Sequence, residues 1–173
     1  MFSALNSREA QQLQVKPIGS MWVYKTKHNP DMTTQHEARL VIKRYEQTVF
    51  SDTDGPVEKL TTSRYLISLI VKYGTRWNMD HLDVVTAFLN PEINDDNIYM
   101  TPLEGWPEGS NAPKIVVRLR RAHYGLEQAP RLWHNTINAI LLSLGFTQSS
   151  AKRKLYLRGD GMLILLYVND ISV

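Results

Sequence analysis

The sequence predicts an α+β domain: a mainly antiparallel sheet with helices covering one face. Three observations lead there. Stretches of strand periodicity interleave with two stretches of helical periodicity. Hairpin-type turn signals stand near both ends, at His28-Asn29-Pro30-Asp31 and Gly159-Asp160-Gly161. The chain has 173 residues, 43% of them hydrophobic and 21% charged, which suffices for one domain with a real core and argues against disorder.

Taken in order, Met1 to Lys16 is polar with scattered apolar residues and reads as a frayed helix. Met21 to Lys27 alternates apolar and polar like a half-buried strand, and Glu37 to Arg44 reads as its return partner in a basic hairpin. Thr61 to Tyr73 is the first helix, with Leu66, Ile67, Leu69, Ile70 and Tyr73 as its apolar face, Thr61, Thr62 or Ser63 as cap, and Gly74 at its end. His81 to Val85 is a short strand, and Asn90 to Pro113 is mostly loop apart from Ile98-Tyr99-Met100. Ile115 to Leu119 is a further strand. A second helix starts at Pro130, carries Trp133, Ile137, Ile140, Leu141 and Leu144 at helical spacing, and ends at Gly145. Leu155 to Leu157 and Met162 to Val168 form a second hairpin, and Ile171-Ser172-Val173 begins another strand.

Composition excludes several chemistries. With no cysteine there is no disulfide scaffold, thiolate metal site or cysteine nucleophile. The five histidines show no HExxH spacing, and no GxGxxG, GxxxxGK[ST] or GxSxG motif occurs. No signal peptide opens the chain, and the run Met162 to Val168 is too short to span a bilayer. Twenty Lys+Arg against 17 Asp+Glu give +3, a balance that admits a polyanionic partner without demanding one.

Two carboxylates stand out. Asp83 lies inside the apolar segment Leu82 to Val85, and Asp170 follows the apolar run that ends at Val168. Either alone reads as a solvated strand end; together they match the way carboxylates from two strands hold Mg²⁺ for phosphoryl transfer. Lys25, Lys27, Arg39, Lys43 and Arg44 make one cationic element. Arg118, Arg120, Arg121 and Arg131 make another, with His123, Tyr124 and Trp133 interleaved. Such a surface suits a nucleic-acid backbone and its bases, or is an ordinary solvated basic face.

Whole blocks of the sequence resemble one family. Leu82 to Asn90 (LDVVTAFLN) is similar to the LDVxTAFLNG block of copia-type LTR retrotransposon reverse transcriptases, and Tyr124 to Trp133 (YGLEQAPRLW) to their YGLKQAPRxW block. Tyr167-Val168-Asn169-Asp170 resembles their YVDD box, Gly19 to Lys25 their GSKWVYK, and Ala38 to Val41 part of KARLV. Pro56 to Thr61 resembles a further segment. The blocks stand in the family's order along almost the whole chain.

The resemblance implies the fingers and palm of a right-hand polymerase, with residues of about 17–60 fingers-like and about 61–173 mainly palm, incomplete after the YVND box. It implies Mg²⁺ held by Asp83, the backbone of Val84 and Asp170, with Asn169 a degenerate third position. Phe88 corresponds to the steric gate against a ribose 2′-OH; Arg39, Lys25 and Lys27 to triphosphate contacts; Gln128 to a nucleotide and template contact. Beside these, the basic cluster Arg118, Arg120, Arg121 and Arg131, read from the residues alone, is the candidate nucleic-acid-binding set. Primer–template and dNTPs are the implied partners, no membrane is involved, and a thumb and RNase H would have to come from elsewhere. The implied location is intracellular and cytoplasmic. The implied reaction is attack of a primer 3′-hydroxyl on a dNTP α-phosphate with two Mg²⁺ ions.

The chain also departs from the pattern. Asn169 replaces an aspartate of YVDD and offers one neutral oxygen where a charged ligand belongs, which implies loss of activity. Glu127 and Glu37 replace lysines, Pro91 replaces a glycine, and Thr53 to Pro56 departs from a TFxP segment. The expected outcome is an inactive polymerase fragment, or alternatively a non-catalytic nucleic-acid-binding or interaction module. A polymerase completed by another polypeptide would require Asn169 to be tolerated. A palm lacking its closing strand exposes a sheet edge and apolar surface, so the isolated chain is expected to aggregate at moderate temperature. Scanning calorimetry checks this, and a sharp, reversible transition of monomer would refute it.

Overall fold

The computed structural model describes residues 2–5, 16–47, 60–74, 78–93, 98–101 and 116–173. In chain order the strands are Phe2–Leu5 (β1), Ser20–His28 (β2), Thr34–Ile42 (β3), His81–Asp83 (β4), Tyr99–Met100 (β5) and Val116–Leu119 (β6). Thr147–Gln148 (β7), Leu155–Leu157 (β8), Leu163–Tyr167 (β9) and Asp170–Ser172 (β10) complete them. The helices are Leu60–Tyr73 (α1) and Ala129–Ser143 (α2). The α+β class and the antiparallel pairing are as expected, but the strands among the described residues form three sheets. The chain also divides discontinuously. Met1–Asp52 joins Pro91–Ala129 in one compact unit and Thr53–Asn90 joins Pro130–Val173 in another.

In the first unit β2 and β3 form a two-stranded ribbon in unbroken register from Ser20↔Ile42 to His28↔Thr34. The return strand stops at Ile42 because Arg44–Glu46 wind into a 3₁₀ turn, whose Glu46 carboxylate accepts the Gly19 N–H at 2.6 Å. A second sheet has the order β1-β6-β5. Residues 2–5 are thus a strand rather than the start of the expected helix: a polar segment without an apolar stripe gains more from the edge of β6, where Phe2 stands opposite Leu119. Residues 6–15 and the resembling segment before α1 lie outside the described residues. The ribbon base is tied down through Ile42, whose N–H donates to the Tyr124 carbonyl at 2.8 Å.

That tie explains Gly125. Its φ is +89°, and a β-carbon there would sit 2.1 Å from the Ile42 carbonyl oxygen. Only glycine fits both the conformation and the close approach.

The second unit is built on a five-stranded antiparallel sheet, order β4-β10-β9-β8-β7. Strand alternation sends Tyr156, Ile164 and Leu166 to one face, where α2 lays down Trp133, Ile137 and Leu141 at four-residue spacing. Ala87 and Phe146 complete this core, and Val84, Phe88, Ile171 and Val173 pack against it. Burying each large apolar side chain of this set contributes about 1.5–3 kcal/mol. The Tyr156 hydroxyl, wholly enclosed, donates to Asn138 Oδ1 at 2.9 Å and accepts from Gln148 at 3.1 Å.

Helix α1 departs from the expectation that both helices share a face. Its Leu66 and Ile70 line a cavity of about 490 Å³ together with Leu163 and Ser172. The register puts Leu163 and Ser172 on the face opposite Ile164 and Leu166. Gly74 and Gly145 follow the two helices with positive φ, where the sequence placed their ends.

Replacing Gly125 with alanine is expected to cost about 3 kcal/mol, through backbone strain and the clash with Ile42. Gly159→Ala, with open space around it, should change stability by no more than ~0.5 kcal/mol. Urea denaturation of both variants checks the contrast.

Candidate functional site

The second unit brings the two predicted carboxylates together. In the β4–β10 ladder Asp170 stands directly opposite Asp83, so both side chains leave the same face with β-carbons about 5 Å apart. That face is the one turned away from α2. Like charges so placed repel, and two polar side chains stand beside them. Asn169 Nδ2 donates a short hydrogen bond to Asp83 Oδ1, and His81 Nε2 lies 3.5 Å from Asp170 Oδ1.

The local backbone aims Asn169 there. Val168 and Asn169 form the two-residue turn between β9 and β10, and Val168 adopts φ +56°, a strained conformation for a β-branched residue. Two bonds hold the turn. Trp133 Nε1 donates to the Val168 carbonyl at 2.6 Å, and the Asn169 carbonyl accepts the Val84 N–H at 2.9 Å. Phe88, five residues beyond Asp83, lies half-buried in a 3₁₀ turn spanning Ala87–Leu89 and packs on the α2 core.

The first unit carries the cationic set. Positions 23, 25 and 27 of β2 stand opposite 39, 37 and 35 of β3, so Lys25, Lys27, Arg39 and Glu37 share one face of the ribbon. Glu37 accepts Arg39 Nη2 at 2.5 Å and Nε at 2.6 Å on one oxygen, and Lys27 Nζ at 3.0 Å on the other. These cations hold the Glu37 carboxyl below the usual range. The Arg39 guanidinium also lies over the Tyr124 ring at 5.4 Å, a long-range contact that no local pattern announces. On the opposite face Trp22 and Tyr24 stack, ring centroids 6.4 Å apart and both exposed.

Gln128, the position that resemblance links to nucleotide and template, is fully enclosed. Its Oε1 accepts Gln47 Nε2 at 2.6 Å, and Gln47 in turn accepts the Glu127 N–H at 3.0 Å. In this structure Gln128 therefore braces the ribbon base rather than presenting an amide to solvent. Glu127 pairs with Arg44 at 3.0 Å. Arg118 points outward from β6 between the buried Val117 and Leu119, followed by the exposed Arg120 and Arg121; Arg131 lies in the second unit, on the first turn of α2.

The chain matches the family described as Reverse transcriptase (RNA-dependent DNA polymerase) over residues 10–173. It belongs to the reverse transcriptase family. It is 35% identical over 163 residues to the retrovirus-related Pol polyprotein from transposon RE1 of Arabidopsis thaliana, covering 90% of this chain and 11% of that protein. The corresponding polyprotein from transposon TNT 1-94 of Nicotiana tabacum is 31% identical over 166 residues, 91% of this chain and 12% of its own length. The putative transposon Ty5-1 protein of Saccharomyces cerevisiae is 40% identical over 95 residues, 53% of this chain and 30% of that protein. The chain thus spans about a tenth of the length of the two Pol polyproteins. Among the described residues no helix is long and apolar enough to cross a membrane.

The donor set does not fit the pair of Mg²⁺ ions that reverse transcriptase resemblance implies. Asn169 turns a hydrogen-bond donor toward Asp83 where a ligand would turn an acceptor, and no group of three His, Cys, Asp or Glu among the described residues is arranged to hold a metal.

Burial pulls the imidazoles of His123 and His134 below their ordinary pKa of 6.5. The unfolded chain then binds protons more readily than the folded one. Stability should be level above about pH 7 and fall as pH drops toward about 5. Thermal midpoints across that range check it, and His123→Gln should flatten the slope.

Proposed function

We propose that this chain is the fingers-and-palm portion of a retrotransposon RNA-directed DNA polymerase whose carboxylate site no longer supports nucleotide addition. The first unit corresponds to fingers and the second to palm. The hydrogen bond from the Asn169 amide to Asp83, beside Asp170, carries this reading. An aspartate at 169 would add a third carboxylate to the cluster, and three such groups stay together only around cations. The amide instead supplies the proton donor that Asp83 needs and removes one negative charge. Primer–template and dNTPs are the ancestral ligands, thumb and RNase H functions would be supplied elsewhere, and the setting is cytoplasmic.

One observation favours a second reading, a non-catalytic nucleic-acid-binding module. Trp22 and Tyr24 form an exposed aromatic stack on one face of the ribbon, a platform on which bases could stack, while Lys25, Lys27 and Arg39 lie on the other face. Under this reading affinity for primer–template falls with salt and drops on Arg39→Ala or Arg118→Ala.

The deciding experiment measures Mg²⁺-dependent primer extension by the natural chain and by Asn169→Asp, each joined to the thumb of a related polymerase. The aspartate variant should extend the primer at least roughly two to three orders of magnitude faster. It should also gain a thermal stabilisation by Mg²⁺ that the natural chain lacks. Extension by the natural chain at the variant's rate would overturn the proposal.

A further inference from the structure

We infer that Glu37 is an intramolecular clamp on the cationic face of the β2–β3 ribbon, occupying Lys27 and Arg39 in place of a polyphosphate anion. The inference rests on the nucleotide-binding reading of that face. Glu37 sits at the centre of the cation set: Lys25 directly across the ladder, Lys27 on the diagonal, Arg39 two residues along the same strand. Both carboxylate oxygens are used, one by the Arg39 fork at 2.5 and 2.6 Å and the other by Lys27 at 3.0 Å. A guanidinium fork and an ammonium converging on paired oxygens is the arrangement a phosphate group would ask for. Here the protein supplies the oxygens itself.

The geometry also says why the clamp holds. The Tyr124 ring beneath Arg39 limits where the guanidinium can go, and Glu37, the least exposed of the three side chains, holds both cations at once although each of them is nearly half exposed to solvent. An incoming anion must displace the carboxylate and then bind beside its charge. Glu127 repeats the pattern on Arg44, at 3.0 Å with its own side chain 16% exposed. Two acidic residues thus consume three of the first unit's cations internally.

The test uses the full chain and inorganic tripolyphosphate, titrated calorimetrically. Removing a clamp of two partly exposed ion pairs, by Glu37→Gln, should tighten binding roughly three- to tenfold. Asp31→Asn removes the same charge from the ribbon turn, where Asp31 bonds Thr33 and, among the described residues, no cation, and should change affinity by less than about twofold. Adding Arg39→Ala to Glu37→Gln should abolish the gain. Equal effects of Glu37→Gln and Asp31→Asn, or a gain that survives Arg39→Ala, would overturn the clamp. Glu37→Ala guards against an artefact of the amide and should shift binding in the same direction. Primer–template affinity measured in parallel separates the two ideas. If neither form binds primer–template while Glu37→Gln still gains tripolyphosphate affinity, the clamp stands and the polymerase reading of the face falls.

Discussion

The β4–β10 register, which sets Asp83 opposite Asp170 on adjacent strands, is the constraint on which the site of the second unit depends. The β4–β10 register leaves Asp83 and Asp170 no choice of face, because shifting either strand by one residue would send its apolar neighbours away from the α2 core. The charges must therefore be met where they stand. The Asn169 amide meets Asp83, and His81 meets Asp170. Asn169 and His81 thus stand at the two carboxylates, one as a hydrogen-bond donor and the other 3.5 Å away.

Holding Asn169 in place has its own cost. Val168 takes a left-handed conformation that disfavours β-branched side chains by about 1–2 kcal/mol. The Trp133 N–H to its carbonyl offsets part of this, and it joins the turn to the helix that forms the core. Packing, strain and site are thus one unit: α2 buries the back of the sheet, and the same tryptophan steadies the turn whose next residue reaches Asp83.

The first unit shows self-neutralisation of a different kind. Glu37 gathers Lys27 and Arg39, Glu127 takes Arg44, and Gln128 is drawn inside by Gln47. Gly125 allows the 124–128 segment to press against the ribbon base closely enough for these contacts to form. Groups that family resemblance would turn toward a polyanion are here turned toward each other.

Much of this was legible in the order of residues. The two helices, the two hairpins, β4, β6 and the motif blocks follow from local periodicity, turn chemistry and resemblance, and the residue order alone singles out Asp83, Asn169 and Asp170, which the fold brings together. What local pattern does not show depends on partners distant in sequence. Residues 2–5 pair as a strand because β6, more than a hundred residues on, presents an edge, and Gln128 is buried because Gln47 lies 81 residues away. Arg39 rests on Tyr124, and residues 91–129 join the ribbon unit, through contacts of the same long range. Periodicity reports which face of an element is apolar; it carries no information on which element will cover that face. The identities that permit the site were written locally, whereas whether each polar group met solvent, a cation or another side chain was decided only by closure of the chain.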